Sequence, residues 1–396
     1  MRTWCIGGTL LALAIAANPC SISPVRKLWS KTPGSESSLF AFERDGRVGF
    51  IDPTGKVVVE PTIAASIEDV GDFSNGLARV DGQGYLDETG RLAIRQDFGF
   101  EEDFSDGLAE VAISDPDQQY GRSVLVMDTK GAIVARVPGV REFSEGLAAF
   151  ETRGKPGIRK FEPGNFVYRD YPGLKGFVDR TGNIVIKPQF ANVGPFIDGL
   201  ARAVLDGYCH IATPDGGREG SPTSGFPGDC GGAPADAVSP CKVGFIDQKG
   251  DFAIQPRFEA AQDFQEKRAA VRVGGLWGFI DASGTVAIPP RFQQVQSFRE
   301  GLAAVRINGK WGFIDKAGTL TIPARFQGVE AFSDSLGIAY VGGKPFYIDR
   351  NGRTKIAGPF REATPFVHGL AAVLLSEKHV AYIDHTGKTV FDYFRR

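Results

Sequence analysis

Along Gly275 to Pro290 the chain reads "GLWGFIDASGTVAIPP", two short apolar runs set on either side of a polar turn. In the first run Trp277 and Phe279 fall on one face and Gly278 with Ile280 on the other, which reads as a strand covered on both sides. In "DASG", the side chain of Asp281 can accept backbone N–H groups of a turn whose positive-φ position belongs to Gly284. Val286 and Ile288 share one face of the next strand, and Pro290 ends it because proline cannot donate to a ladder. Phe292, Val295 and Phe298 then recur as inward positions, and Gly301 turns the chain into a strand from Leu302 to Ile307. Asn308-Gly309 is a hairpin signal that returns the chain to the next "WGFID". The pattern predicts three short strands per unit.

The unit repeats. Its Asp recurs at Asp52, Asp87, Asp128, Asp179, Asp247, Asp281, Asp315, Asp349 and Asp384, with spacings of 35, 41, 51, 68, 34, 34, 34 and 35 residues. The recurring 34 or 35 sets the period, so chain length counts units rather than average domains. A three-stranded meander is too small to bury its own aromatic face, and neighbours must stack. The sequence therefore predicts an all-β chain, a tandem array of about nine three-stranded β-meander repeats of 34–35 residues spanning 38–394. "SLFAFERDG", Ser38 to Gly46, resembles the strand that precedes each later "GFID", and the chain stops at "KTVFDYFRR" without a "GLA" strand. The two ends can pair to close a propeller-like ring or cap an open solenoid-like stack; the open stack is favoured because the unit falls short of a four-stranded blade.

The whole phrase, including "FSEGLAAF" and "PRFQQV", resembles the bacterial WG repeat family, also called KWG repeats, from about Arg47 to Phe391. Trp277-Gly278 with Asp281, and Trp311-Gly312 with Asp315, carry the literal signature, while Val48, Lys175 and Val243 stand at the Trp position elsewhere and three units lack the Gly. The resemblance implies a repeat scaffold, since many members have no assigned activity; no cofactor is expected.

Composition agrees with many short strands joined by tight turns: 30 Phe against 2 Met, with 51 Gly and 24 Pro. A net charge of -2 and no Lys/Arg run longer than a pair give no field for phosphates, so nucleic acid is excluded as a partner. At the N-terminus, Arg2, an apolar run from Trp4 to Ala17 and small residues Ala14 and Ala16 have the layout of a secretory signal over 1–17, followed by a linker over 18–37. That run is too short to span a bilayer, and Asn18 and Pro19 stand where a lipid anchor at Cys20 would need a small pair. The expectation is a secreted or periplasmic protein, not membrane-spanning after signal cleavage. Cys20, Cys209, Cys230 and Cys241 would then meet an oxidising compartment, where they are disulfide candidates with three pairings open; no C-x-x-C pair supports a metal.

Subtracting the period from the long spacings leaves insertions at 114–123, 151–175 and 205–242, all in the same hairpin between the "GLA" and "GFID" strands. Equivalent hairpins of a stack share one edge, so the insertions should gather there. The second holds Arg153, Lys155, Arg159, Lys160 and Arg169 among Phe161, Phe166, Tyr168 and Tyr171, a basic and aromatic mixture suited to an acidic protein surface or polyanionic glycan. The third holds three of the cysteines, and its spacing of 68, twice 34, leaves open a decayed repeat. His210, His368, His379 and His385 fit no metal or catalytic spacing, and Asp106, Glu145, Asp198 and Glu300, recurring beside Gly, read as turn chemistry. No catalytic residues are singled out. The expected role is a non-catalytic exported scaffold binding a protein or cell-envelope glycan through its loop edge; the alternative is an envelope polysaccharide hydrolase or lectin-like enzyme.

Overall fold

The computed structural model describes residues 38–95, 98, 100–114, 122–137, 139–152, 156–161, 165–170, 173–205 and 242–395. They form nine antiparallel meanders in chain order, which we call blades 1 to 9: 40–63, 70–95, 100–135, 143–190, 192–258, 260–292, 294–326, 328–356 and 362–394. Blade 7 shows the plan. A two-residue strand, Gln294–Val295, pairs with Leu302–Ile307; that strand pairs with Lys310–Asp315, which in turn pairs with Leu320–Phe326. Each blade after the first thus has four strands where three were expected. The extra one is a segment of two residues in blades 3 to 9, too short to show a period, and the sequence read it in blade 7 only as inward-pointing Val295; in blade 2 it runs to the five residues Val70–Ser74.

The Trp-Gly signature has a mechanical cause. At Gly278 a Cβ would collide with the carbonyl oxygen of Ile288 and the nitrogen of Pro290, because the fourth strand bulges across the glycine before pairing Phe292 with Trp277. The same approach recurs at Gly49, Gly176, Gly244 and Gly312. Blades 3 and 8 place Leu125 and Phe346 at this position, and their fourth strands shrink to the three residues Ile133–Ala135 and Thr354–Ile356. "WG" and "PxF" are therefore one device, the glycine admitting the bulge that the proline begins.

Third strands are buried on both faces, as the alternation predicts. Phe279 packs into a cluster shared with blade 7, containing Val295, Phe298 and Val305, while Ile280 packs into a cluster shared with blade 5, containing Phe245 and Phe258. Cores lie between blades rather than within them. The aromatic of each third strand meets the Phe that follows the next blade's first strand: Phe50 with Phe73, Phe177 with Phe196, Phe279 with Phe298 and Phe313 with Phe332, at ring separations of 4.8–5.0 Å.

The junctions close on themselves, so the array is a nine-bladed ring, the arrangement that the sequence left as the alternative, and the favoured open stack is not adopted. Blade 9 packs directly on blade 1: Phe40, Phe42, Leu370, Tyr382 and Tyr393 share one cluster, and Phe42 meets Phe391 at 4.9 Å. A Cβ on Gly90 would run into Val59 of the preceding blade, one on Gly387 into Ile356, and one on Gly55 of blade 1 into Val390 of blade 9. Phe40–Arg44 is the second strand of blade 1, as "SLFAFERDG" implied, and among the described residues blade 1 has no two-residue first strand. Among the described residues no strand of blade 9 is laddered to blade 1. The Tyr382 hydroxyl instead donates to the Ala41 carbonyl at 2.6 Å, the oxygen that in blade 7 (Ala304) accepts the Gln296 N–H.

Two outcomes test this construction. Gly278→Ala should destabilise the chain by about 1–3 kcal/mol through backbone overpacking, read as a lowered urea midpoint, whereas alanine at the exposed Gly309 turn should not act through packing. Tyr382→Phe should cost about 1–3 kcal/mol, because it strands the Ala41 carbonyl at the seam, and should leave the near-ultraviolet signature of the other blades intact.

Candidate functional site

An up-and-down meander puts its hairpins on two faces. The turns joining strands one to two and three to four share one face, which we call the turn face; the hairpin joining strands two to three lies on the other, the hairpin face. The turn face is uniform. Each repeat Asp caps its turn: Asp281 Oδ1 accepts from Ser283 N at 2.9 Å, from Thr285 N at 3.1 Å and from the Ser283 hydroxyl at 2.6 Å. Hydrogen bonds from Thr54, Thr89, Thr181, Ser283 and Thr386 hold the carboxyls of Asp52, Asp87, Asp179, Asp281 and Asp384 below their usual range.

The carboxylates beside glycine do more than the turn role expected of them. Asp106, Glu145, Asp198 and Glu300 adopt φ of 50–57°, a left-handed conformation that costs a non-glycine residue roughly 1–2 kcal/mol. Each reaches the next blade. Asp106 accepts from Gly146 N at 2.7 Å, Asp198 from Lys267 N at 2.7 Å, Glu266 from Gly301 N at 3.0 Å and Asp334 from Gly369 N at 2.8 Å. Cations complete several links, with Arg180 on Asp106 at 2.6 Å and Lys316 on Glu266 at 3.0 Å. Burial alone would raise both carboxyls; the cation and the backbone N–H overcome it and hold them low. The described histidines are absorbed into this framework: His385 Nε2 lies 3.0 Å from the Asp334 carbonyl with its ring on Phe366, and His379 pairs with Asp392 at 2.7 Å.

The hairpin face is where the blades differ. The strands flanking the inserted hairpins are Leu108–Ser114 and Arg122–Asp128 in blade 3, Leu147–Glu151 and Lys175–Asp179 in blade 4, and Ala201–Val204 and Val243–Ile246 in blade 5. Three successive blades carry the three insertions. In blade 4 the root is clamped, since Thr152 N donates to the Leu174 carbonyl at 2.9 Å and Leu174 N to the Thr152 hydroxyl at 3.0 Å. Beyond it a separate ribbon, Pro156–Phe161 with Asn165–Asp170, sets Arg159 opposite Val167, Lys160 opposite Phe166, Ile158 opposite Tyr168 and Gly157 opposite Arg169. Phe161 pairs with Asn165 at its end. The ladder thus brings six of the nine candidate binding residues into one two-stranded element. Arg153, Lys155 and Tyr171, the four candidate cysteines, His210 and the leader over 1–17 lie outside the described residues.

One group the sequence passed over stands out. Glu110, in the "GLAE" of blade 3, occupies the position of Ala304 in blade 7, and burial together with the nearby Glu102 pushes its carboxyl up to about 7. The signal was available as the one carboxylate at the fourth position of a "GLA" phrase. Glu102 and Glu110 stand side by side on adjacent segments of one sheet, Glu102 N donating to the Glu110 carbonyl at 2.9 Å. Among the described residues no group of three or more His, Cys, Asp or Glu is placed to hold a metal. No helix in the described residues is long and apolar enough to cross a membrane.

The low-lying turn carboxyls stabilise the fold fully above the unfolded aspartate value of 3.8, and their contribution is lost as pH falls through their lower folded values. Melting temperature should therefore drop steeply below about pH 4 in a thermal titration. Asp281→Asn, which retains an acceptor but no charge, should shallow that drop.

A crystal structure of the eukaryotic initiation factor superposes with a TM-score of 0.57 at 11% identity, over 91% of this chain and 96% of that one, a likeness of fold. Dihydro-heme d1 dehydrogenase NirN in complex with DHE gives a TM-score of 0.41 at 12% identity, over 83% and 72% of the two chains. BamB from Moraxella catarrhalis gives 0.34 at 9% identity, over 82% and 84%. No curated protein matches the chain by sequence. The model of the WG containing repeat matches residues 49–81, 176–209, 244–277, 277–311, 311–344 and 346–378. Each match starts in a third strand and ends past the second strand of the next blade, so the sequence repeat straddles a junction. With those matches over about half its length, and with the bulge-admitting glycine and Asp-capped turn repeated round the ring, the chain belongs to the WG repeat family.

Proposed function

We propose that this chain is an exported, non-catalytic binding scaffold whose partner seats on the hairpin face over blades 3 to 5. One observation carries the reading: the three insertions interrupt the same hairpin in three successive blades, so they rise from one arc of the ring while the turn face keeps the same chemistry throughout. Loops on a rigid scaffold are the usual carriers of recognition. The ribbon gathers Arg159, Lys160 and Arg169 with Phe161, Phe166 and Tyr168, a composition that favours a polyanionic partner, either an acidic protein surface or an acidic envelope glycan. Export rests on the leader pattern over 1–17 and on cysteines held for an oxidising compartment. Exposed Leu174 and Leu205 at the roots of two insertions add apolar area to the same arc.

The test replaces 153–172 and 206–241 with Asn-Gly turns and compares the variant with the intact chain, both immobilised, in capture from envelope extract of the source organism. The intact chain should retain a partner that the shortened one loses, with release at high salt as a charged contact requires. Equal retention by both forms, with circular dichroism showing the same strand content, would move binding away from this arc.

A further inference from the structure

The blade 3 to blade 4 junction departs from the others at two points. First, it lacks the aromatic contact: Val126 stands where blades 4, 5, 6 and 7 place Phe177, Phe245, Phe279 and Phe313, and it meets Phe143 in a small cluster with Leu108, Val140 and Phe150. Second, the cross-strand pair at its centre is two carboxylates. The equivalent pairs, each joined by the same backbone bond, are Gln262 with Ala270, Gln296 with Ala304, Thr364 with Ala372, Gly194 with Arg202, Arg141 with Ala149 and Glu330 with Ile338, none of them two carboxylates. Three of those combinations stitch neighbours together. Gln262 donates to the Val295 carbonyl at 3.2 Å, Gln296 to the Val329 carbonyl at 3.2 Å, and Arg202 reaches Asp263 at 2.6 Å.

Glu102 and Glu110 therefore sit where Gln262, Gln296 and Arg202 join blades elsewhere in the ring, and like charges directly opposite one another push strands apart. The charges around them do not balance. Facing Glu110 are Glu102 on its own blade and Arg141 on blade 4; facing Glu102 are Arg79 of blade 2, Asp103 of blade 3 and Glu142 of blade 4. Arg79 is itself engaged by Asp81 and Asp103. At the turn face the same junction is firmly held, by Arg180 on Asp106, by Gly146 N on Asp106, and by the Ser105 hydroxyl on the Phe143 carbonyl at 2.7 Å. One end is fastened, and the middle carries a repulsion between carboxylates that a proton removes.

We propose that the junction between blades 3 and 4 is a proton-sensitive joint: with a proton on the Glu102–Glu110 pair the two blades pack fully, and its loss loosens blade 4 against blade 3 beneath the inserted hairpins. Glu102 is exposed, so the proton has a path to solvent. The direction follows from the environment. Glu110 is raised to about 7 from its usual 4.5, so the folded chain holds a proton that the unfolded chain releases, and stability declines as pH rises from 4.5 through 7. This is opposite in sign to the turn aspartates and lies in a separate pH window.

The experiment follows melting temperature and amide protection of the full chain from pH 5 to pH 8, beside Glu110→Ala and Glu110→Gln. Alanine is the residue blades 4, 6, 7 and 9 carry at this position, and glutamine keeps the size. In the wild type, protection over 108–114 and 147–151 should fall about tenfold or more relative to 302–315 as pH rises, since each unit of pKa shift is a tenfold effect. Melting temperature should fall in parallel, and both variants should be flat over this range. A variant that keeps the wild-type profile, or a wild-type loss of protection spread evenly over all blades, would overturn the proposal.

Discussion

The ring rests on a contact that no blade can make alone, the edge-on meeting of a third-strand aromatic with the phenylalanine that enters the next blade. Tyr85 on Phe104 and Tyr347 on Phe366 repeat, at 4.8 Å, the distance seen for the phenylalanine pairs. A strand buried on both faces has no free side to spare, so each sheet needs a neighbour before and after it. An open stack would leave two such strands facing water. Closure removes both ends. The tyrosines add a hydrogen bond to the aromatic contact: Tyr85 donates to the Glu102 carbonyl at 2.7 Å and Tyr347 to the Thr364 carbonyl at 2.8 Å.

What the sequence made legible were features confined to a few consecutive residues. The alternation in "WGFID", the Asp-capped turn and the Asn-Gly hairpin each encode one local conformation, and all are found where the pattern put them. The insertions were legible because a change in spacing needs no three-dimensional knowledge. The fourth strand was hidden because Gln294–Val295 is shorter than one alternation, and its partners Arg306 and Val305 belong to another stretch of the unit. Ring against stack was hidden for a different reason. It depends on a small rotation summed over nine junctions, which no residue specifies singly. The carboxylate pair was invisible until cross-strand neighbours were known, since Glu102 and Glu110 are eight positions apart and each looks ordinary in its own phrase.

The two faces divide labour. On the turn face the strain of left-handed Glu145, Glu266 and Glu300 is offset by bonds to the following blade, so these positions are committed to holding the ring together. A carboxylate tied to a neighbour's N–H is poorly placed to serve a ligand. On the hairpin face the inserted loops of blades 3 to 5 begin beyond the last ladder pair, and sequence can be added there at the modest entropic cost of a longer loop. Variation has gathered on that side, in blades 3 to 5, and the weakly packed joint between blades 3 and 4 lies directly under it.

The offset between repeat and blade bears on how such a ring grows. A 34-residue copy carries the last two strands of one sheet and the first two of the next, so inserting one tears no sheet and leaves no unpaired edge; the new copy completes the half-sheets on either side. What a duplication delivers whole is an interface. Because the seam between blades 9 and 1 has the same kind of interface and no laddered strand, the ring can take in or lose a unit at the cost of a slight change in angle shared by every junction. In this architecture blade number is an adjustable quantity, and length variation is absorbed by geometry before it is felt by packing.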